Sequence, residues 1–374
     1  MTIIDINTIN SKIILCMTEK SKVKLSAIDP IIVDNIVSPK ECKVRGKDFV
    51  QWGDNNKYPC YLWDLYNNVA TLQSIVNGSA DFIVGNDVIC NIDKFNITVN
   101  KKGETIVDIV RKIAIDKLIF GGYALQVIRN RIGEVNEIYH LDFMKVRSNE
   151  KNTVFYYADD WNVWSVKAIK YPKFEYGDNN PTSIVYNKGY STRSVYPIPP
   201  YGASVLSCEI ERKINEFHLN NLNNGFMGNC IINFNNGIPT DEAQEEMEVN
   251  INEKFSGTSN AGRILMSFND SEANKTTIER LDSDDFDEKY QALAERSKTE
   301  IFTAFRANPV LFGINYSSGF NENEFNEAFK LYNRTVIKPI QKDIVDTFDK
   351  IFNTKSSITI KPFSLEATDD KTIE

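Results

Sequence analysis

Histidine is scarce in this sequence and cysteine is never closely paired, which limits the chemistry that the chain can perform. Only two histidines occur, His140 and His218, and neither lies in a nucleophile motif. The six cysteines are scattered without a CxxC pair, so we expect reduced thiols and neither a zinc site nor a disulfide framework. The sequence therefore predicts no bound metal and no cofactor.

Long apolar runs and an excess of positive charge are also missing. No apolar run approaches about 20 residues, so no membrane span is predicted. Residues 1–16 contain Asp5 and no basic segment ahead of an apolar one, which does not match a signal peptide. The formal charge of -8 argues against tight DNA binding through phosphate neutralisation. The remaining composition, 42% hydrophobic and 25% charged, is typical of a folded globular chain. Its 374 residues are enough for two or three domains, or for one large core with appended elements.

The standard catalytic and phosphate-binding motifs are absent as well. No GxxxxGK[ST] sequence occurs, which excludes a P-loop ATPase. Gly121 and Gly122 follow a predicted helix rather than a strand, which is the wrong context for a dinucleotide site. His140 would have to act as the general base of any Ser-His-Asp site, and a partly buried structural histidine is the favoured interpretation.

Charged and aromatic clusters have both a structural and a functional interpretation. One cluster consists of Asp282, Asp284, Asp285 and Asp287. These aspartates lie where a helix is predicted to begin, so helix capping is favoured over a metal site. Arg129 and Arg131 are too few for a nucleic-acid footprint, although they could touch a phosphate. Residues 155–164 are rich in aromatics with acidic and amide neighbours, so packing is favoured over base stacking.

Hydrophobic periodicity predicts alternating helical and strand-rich regions. The predicted helices cover residues 58–84, 104–120, 203–224, 241–255, 284–305 and 322–352, the last kinked at Pro339. The predicted strands are a pair within residues 88–99, a hairpin of 123–129 and 135–141, and the segments 154–157, 163–169, 183–186, 230–234, 263–268 and 278–281. Gly85 and Gly121 are the expected ends of the first two helices.

The most informative pattern is the amphipathic helix before Pro309. Ser283 is its expected N-cap, and Asn308, ahead of the proline, is expected to be extended. The spacing predicts one buried apolar stripe and charged residues that are exposed or at a subunit contact. The expected buried residues are Phe286, Tyr290, Leu293, Ile301 and Phe305, and the others are Glu288, Lys289, Glu295 and Lys298.

Ordered segments of the sequence resemble those of tailed-bacteriophage portal proteins. They are FVQWGDNNKYP (49–59), LIFGGYALQVI (118–128) followed by YHLDFMKVR (139–147), YPIPPYGASVLSCEIERKINEF (196–217), FSGTSNAGRILMSF (255–268) and the 286–313 helix with its aF-x-x-x-P-x-L-x-G ending. The resemblance covers roughly residues 49–352. Asn308-Pro309 departs from the Val-Pro of many relatives, and the clip near residues 225–240 would be minimal.

This resemblance implies an α+β fold: a portal-like subunit with an α/β wing domain, long stem helices, a short clip and a C-terminal helical region. The implied domains are a wing at 1–200, a stem helix, short clip and tunnel-loop region at 201–283, a long tunnel helix, wing return and crown-like helix at 284–352, and a polar tail at 353–374.

The resemblance also implies a structural, non-enzymatic function. Portal subunits form a ring, typically of twelve copies, at one vertex of the phage head, and double-stranded DNA passes through it without sequence specificity during packaging and ejection. The implied partners are terminase, the major capsid protein and tail adaptor proteins, and the implied location is the virion, with the host cytoplasm during assembly. The expected channel lining is Asn269, Asp270, Ser271, Glu272, Asn274 and Lys275. Two alternatives stay open: a metal-dependent phage nucleic-acid enzyme using the 282–287 carboxylates, and a non-ring capsid or adaptor protein.

Overall fold

A computed structural model describes residues 39–43, 46–53, 56–161, 166–191, 195–223, 230–234, 240, 264–268, 286–314 and 322–364. All of them belong to one structural unit, Asn35–Glu374. The α-helices are α1 (Tyr58–Asn68), α2 (Ala70–Val84), α3 (Ile106–Phe120), α4 (Val205–Asn223), α5 (Phe286–Phe305), α6 (Glu322–Tyr332) and α7 (Lys338–Phe352). The strands are β1 (Glu41–Lys43), β2 (Val50–Trp52), β3 (Asp87–Cys90), β4 (Gly122–Arg129), β5 (Val135–Leu141), β6 (Val146–Ser148), β7 (Val154–Tyr157), β8 (Ile169–Pro172), β9 (Thr182–Lys188), β10 (Cys230–Phe234), β11 (Ile264–Phe268) and β12 (Ile358–Lys361).

Helix α3 shows how local sequence signals set the bounds of a core element. Thr105 Oγ1 accepts a hydrogen bond from the backbone N of Asp108 at 3.2 Å, and Asp108 Oδ2 accepts one from the backbone N of Thr105 at 2.8 Å. This reciprocal capping box satisfies two of the free N–H groups at the helix start. Gly121 ends the helix with φ 83°, as predicted. Ile109 and Ile113 have no exposed surface, so one face of α3 packs into the core.

The strands form several small sheets. β4 is central to the sheet β5-β4-β9, in which both pairings are antiparallel, so the predicted hairpin of residues 123–129 and 135–141 is confirmed. β6, β7 and β8 form a second antiparallel sheet. β10 and β11 pair in parallel, with Cys230 opposite Ile264 and Phe234 opposite Phe268.

Gly121 and Gly122, at the junction of α3 and β4, allow other backbone segments to approach closely. A Cβ on Gly121 would lie 2.2 Å from the carbonyl oxygen of Ile198, and one on Gly122 would lie 2.5 Å from that of Asn187. Only glycine fits both positions, and Gly121 also needs the left-handed conformation. Gly121 therefore lets the segment around Ile198, which precedes α4, pass close to the end of α3, and Gly122 lets β9 approach β4.

The prediction of one helix over residues 58–84 is wrong in one detail. Val69 is extended, with φ -115° and ψ 105°, and separates α1 from α2. The side chains of Leu65, Val69 and Leu72 nevertheless all lie in the core. Because burial continues across the break, apolar spacing alone could not reveal it.

The prediction of two paired strands within residues 88–99 is also wrong. Only β3 forms there, and a short 3₁₀ turn follows at Asp93–Phe95. β3 pairs antiparallel with β12, which places Val88 opposite Ile360. Local sequence patterns cannot show that β3 pairs with a strand about 270 residues later in the chain.

The C-terminal helical region changes its hydrogen-bond pattern just before Pro339. A π-helical segment, Asn333–Ile337, joins α6 to α7. Pro339 has no N–H and its ring crowds the carbonyl four residues earlier, that of Thr335 within the π segment. The predicted proline kink thus takes the form of a local widening of the helix. The predicted helix at 241–255 and strand at 278–281 lie outside the described residues.

Candidate functional site

Segments that carry the sequence resemblance meet in a buried cluster around Trp52. The ring of Trp52 stacks on that of Tyr196, with 4.6 Å between centroids and 3° between planes. The backbone N of Trp52 donates to Asn56 Oδ1 at 2.9 Å. Asn56 has φ 62°, a left-handed conformation that asparagine tolerates better than most residues. The four-residue spacing from Trp52 to Asn56 therefore lets the Asn56 side chain bind the Trp52 backbone.

Arg147 is a buried cation in the same cluster. Its Nε and Nη2 donate to the side-chain and backbone oxygens of Asn56, each at 2.9 Å. Its Nη1 donates to the carbonyl oxygens of Met144 and Val146 at 2.8 and 2.9 Å. Burial lowers the pKa of Arg147 to about 10, so the side chain stays charged at neutral pH. The sequence analysis did not single out Arg147. Its position at the end of the YHLDFMKVR segment, which carries part of the family resemblance, could have drawn attention to it.

Residues 196–202 connect this cluster to two long helices. The Tyr196 hydroxyl accepts from the backbone N of Ser148 at 3.1 Å and donates to the carbonyl oxygen of Val50. Tyr201, fully buried, stacks on Phe305 with 5.3 Å between centroids. The cluster thereby fixes the place where α4 begins and α5 ends.

Helices α4 and α5 pack side by side in opposite directions, and together we call them the stalk. Near the start of α4, Ser207 Oγ donates to Glu300 Oε2, close to the end of α5, at 2.6 Å. Near the other end, the rings of Phe217 and Tyr290 are 4.8 Å apart. The chain therefore leaves the core along α4 and returns along α5.

Glu211 attaches the stalk to the start of α2. Its Oε1 accepts from the hydroxyl and the backbone N of Thr71, at 3.0 and 3.4 Å. Val69, the N-cap residue of α2, offers no side-chain oxygen, so Glu211 supplies the acceptor that a capping residue normally provides. Burial raises the pKa of Glu211, and the Thr71 hydrogen bonds offset only part of this effect.

Arg212 makes a second attachment, to α1. Its Nη1 lies 3.2 Å from Asp64 Oδ2, and its Nη2 lies 2.7 Å from Glu209 Oε1. The inner half of α4 is therefore held by one buried carboxylate and one partly exposed ion-pair network.

The predicted buried stripe of α5 is confirmed only next to the core. Ile301 and Phe305 are 0% and 3% exposed, and Tyr290 is half-buried. The prediction is wrong for Leu293, which is 38% exposed because it lies on the outer half of the stalk. Glu295 is exposed as predicted, and Lys298 is half-buried. The side chains of Phe286, Glu288 and Lys289 lie outside the described part of the structure.

Apolar side chains are exposed on the outer half of the stalk. In the single chain Phe217 is 38% exposed, Leu219 is 58% exposed and Leu293 is 38% exposed. The inner half shows the reverse pattern, since Val205 and Cys208 have no exposed surface. Large apolar side chains exposed in this way can be covered by contact with another molecule.

The predicted channel lining cannot be placed, because it lies outside the described residues. This set comprises Asn269, Asp270, Ser271, Glu272, Asn274 and Lys275. The same holds for Ser283, Asp282, Asp284 and Asp285. The backbone of Asp287 is in the first turn of α5.

The turn after α5 explains the unusual Asn-Pro pair. Asn308 is extended, with φ -89° and ψ 128°, as predicted for a residue before proline. Its Oδ1 accepts from the backbone N of Val310 at 3.0 Å. Asparagine thus caps the short 3₁₀ turn Pro309–Phe312, a contact that valine at this position could not make.

His140 pairs with Asp116 beside an open pocket of about 820 Å³. His140 Nε2 lies 2.6 Å from Asp116 Oδ2, which joins β5 to α3. Burial raises the pKa of Asp116, and the nearby His140 opposes this effect. None of the described lining residues is a serine, threonine or cysteine, so no nucleophile of a Ser-His-Asp or Cys-His type faces this pair in the pocket. The geometry supports the structural interpretation of His140.

One member each of the basic pair and of the aromatic cluster has a structural role, whereas Arg131 is exposed. The side chain of Arg129 is only 2% exposed and donates to the carbonyl oxygens of Asn180 and Glu175, so it is not available to a phosphate. Phe155 is fully buried and stacks on Tyr186 at 4.8 Å, which confirms packing over base stacking there.

Two searches of the described ranges found nothing. They contain no group of three or more His, Cys, Asp or Glu side chains placed to hold a metal ion. No helix within them is both long and apolar enough to cross a membrane.

Comparison with known sequences gives a family match and two distant relatives. The sequence pattern of the phage portal protein family matches residues 98–372. An uncharacterized protein of Rickettsia bellii (strain RML369-C) is 26% identical over 194 residues, which are 50% of this chain and 49% of that protein. One of Rickettsia felis is 31% identical over 160 residues, 41% of this chain and 40% of that protein. The chain thus spans about half the length, or less, of the curated relatives it matches.

Comparison with solved structures shows the fold. A chain of the virion of a native gene transfer agent particle has a TM-score of 0.51 and 17% identity, covering 82% of this chain and 84% of that one. A chain from the neck of such a particle, computed with C12 symmetry, has a TM-score of 0.50 and 15% identity, covering 82% and 85%. An HK97 family phage portal protein from Corynebacterium diphtheriae has a TM-score of 0.50 and 9% identity, covering 80% and 94%. The predicted mixed helix and strand fold of portal type is confirmed.

Proposed function

The chain belongs to the phage portal protein family, and from this membership we propose that it forms a ring of identical subunits, about twelve in number, through which double-stranded DNA passes. The ring would occupy one vertex of a phage-like capsid. DNA would move through it without sequence specificity during packaging and ejection. The protein would assemble in the host cytoplasm and remain in the virion.

The observation that carries this proposal is the stalk. Its inner half is fixed to the core by the Tyr201–Phe305 stacking and by Glu211, while its outer half exposes Phe217 and Leu219. In a ring closed by heterologous contacts, each subunit buries such a surface against its neighbour. The C12 symmetry of one structurally similar neck supports a ring of twelve.

DNA passage and the partner proteins follow from the family. The chain carries a formal charge of -8, which disfavours tight retention of DNA. We propose that residues 269–275, which lie between the two stalk helices in the sequence, line the channel. Terminase, the major capsid protein and tail adaptors are the proposed protein partners. The proposed function is mechanical and includes no catalytic step.

Electron microscopy of the purified full chain tests the ring. We expect closed rings with a central hole wide enough for duplex DNA. Because a portal subunit can stay monomeric before assembly, the same search belongs in particles that contain the protein. Monomers or dimers in solution at every salt and protein concentration, together with no ring in the particle, would contradict the proposal.

A further inference from the structure

A stretch of the C-terminal helices carries only positive charges, although the chain as a whole is acidic. The sequence contains 51 aspartates and glutamates, yet none falls within residues 328–342. In this stretch Lys330, Arg334, Lys338 and Lys342 follow one another at four-residue steps. We call these four residues the basic stripe.

The π segment limits how far the basic stripe turns around the helix. In an α-helix of 3.6 residues per turn, each four-residue step overshoots a full turn by about 40°, so four such positions would drift around the helix. The π segment Asn333–Ile337 holds more residues per turn and offsets part of this drift. All four side chains are in fact exposed.

Buried side chains on the other face of these helices hold the basic stripe towards the outside. Tyr332, Val336, Ile337 and Ile344 are buried and pack in the core. The Tyr332 hydroxyl lies 2.8 Å from Ser79 Oγ, a buried hydrogen bond to α2. The helices therefore cannot rotate to hide the stripe without breaking these contacts.

Three of the four cations are available to a ligand. Lys330 is bound to Glu327 at 2.8 Å, one turn earlier on the same helix. Arg334, Lys338 and Lys342 form no ion pair with any residue that the structure describes. The neighbouring carboxylates lie at the two ends, where Glu327 pairs with Lys330 and Asp343 pairs with Lys117 of α3. An exposed row of cations of this kind is the electrostatic footprint of a polyanion site.

We propose that the basic stripe contacts the phosphate backbone of double-stranded DNA as DNA passes the subunit. This inference rests on the proposed function. From Lys330 to Lys342 the stripe is about 18 Å long, at about 1.5 Å per residue. One DNA strand presents a phosphate about every 3.4 Å along the duplex axis, so the stripe faces several phosphates at once. Three charges give a weak, sequence-independent contact that lets DNA slide.

The test measures binding of the full chain to a 30-base-pair duplex of arbitrary sequence over a range of salt concentrations. The variant Arg334→Gln, Lys338→Gln, Lys342→Gln removes three stripe charges. The matched control, Lys151→Gln, Lys170→Gln, Lys355→Gln, removes three exposed charges elsewhere and gives the same net charge. Thermal unfolding of each protein checks that both variants fold.

We expect the stripe variant to bind the duplex more weakly, with a plot of log K against log salt less steep by about 2.7 per contacting subunit. The control is expected to keep at least most of the slope. Equal losses in the two variants, an unchanged slope in the stripe variant, or no salt-dependent binding by the unaltered protein would overturn the proposal. Ring formation, scored by microscopy on the same samples, separates this outcome from failure of the proposed function. Loss of rings with unchanged DNA binding would instead assign the stripe to a contact between subunits.

Discussion

Arg147 donates hydrogen bonds to both the side-chain and the backbone oxygen of Asn56. The two residues are 91 positions apart in the sequence. Asn56 also accepts from the backbone N of Trp52, so one amide side chain holds a turn and a buried cation together. Tyr196, stacked on Trp52, continues this cluster towards the start of the stalk. The cluster therefore joins the α/β core to the helices that carry the proposed ring contacts.

Replacing Asn56 by alanine should destabilise the chain strongly. Asn56→Ala leaves Arg147 Nε without its acceptor inside the core, so we expect a loss of about 2–3 kcal/mol in the free energy of unfolding. Urea unfolding measures it. Asn353→Ala is the matched control, because Asn353 also has a positive φ, of 51°, but is exposed. It should lose only about 1 kcal/mol, and equal losses would contradict a special role for Asn56.

Glu211 should make stability depend on pH. Its folded pKa lies above the ordinary value of 4.5, mainly through burial. The contribution of this group to stability is therefore fully present below pH 4.5 and declines as pH rises through the raised folded pKa. Glu211→Gln does not titrate, so its stability relative to the unaltered chain should rise with pH over that window, as measured by urea unfolding.

Glu216→Gln is the control with the opposite sign. The hydrogen bond from Lys213 lowers the pKa of Glu216 below 4.5. Its stabilisation is present above pH 4.5 and is lost as pH falls through the lowered folded pKa. The relative stability of Glu216→Gln should therefore decrease as pH rises. The same trend in both variants would show that burial does not dominate the pKa of Glu211.

A charge on the outer half of the stalk should weaken assembly. Leu219→Glu places a carboxylate in the apolar surface that we assign to the subunit contact, so smaller assemblies are expected by mass photometry. Ile132→Glu, at the tip of the β4–β5 hairpin, changes an isoleucine that is even more exposed, 77% against 58% for Leu219, and should leave assembly intact. Normal rings from Leu219→Glu would remove the outer stalk from the interface.

Reversing charge in the proposed channel segment should slow DNA movement. Asp270→Lys combined with Glu272→Lys adds phosphate attraction where DNA is proposed to slide. The rate of DNA packaging is the measurement, and Glu150→Lys with Asp159→Lys, both exposed elsewhere, is the control. Unchanged packaging, with cross-linking that places residues 269–275 on the outer rim, would reject this assignment.

The aspartates before α5 separate the structural from the enzymatic interpretation. If they only cap the helix, Asp284→Asn with Asp285→Asn should cost about 1 kcal/mol or less and leave DNA passage unchanged. If they hold a catalytic metal, the same change should abolish a DNA cleavage activity that EDTA also abolishes. We expect the first result, and metal-dependent cleavage by the purified protein would promote the enzyme hypothesis.

Local patterns in the sequence were sufficient for the elements that depend on local interactions. The bounds of α3 follow from Thr105, Asp108 and Gly121, and the β4–β5 hairpin follows from its alternating residues. The extended Asn308 follows from the proline after it. In each case the determining contacts lie within a few residues of one another.

Contacts between distant residues were not predictable in the same way. The pairing of β3 with β12, the cap that Glu211 gives to α2, and the burial of Arg147 all join segments far apart in the chain. The exposure of Leu293 was missed for a related reason, since periodicity shows that a stripe is apolar but not which molecule covers it. The order and spacing of the motifs indicated the family. Several of these motifs meet in the folded chain, as Trp52, Arg147 and Tyr196 do.

Electron microscopy with symmetry analysis of the assembled full chain tests the central claim most directly. The account predicts closed rings of about twelve subunits, each with a central hole that admits duplex DNA and with the outer stalk at the contact between neighbours. Open or compact assemblies without a central hole, both from the purified protein and in particles that contain it, would contradict it.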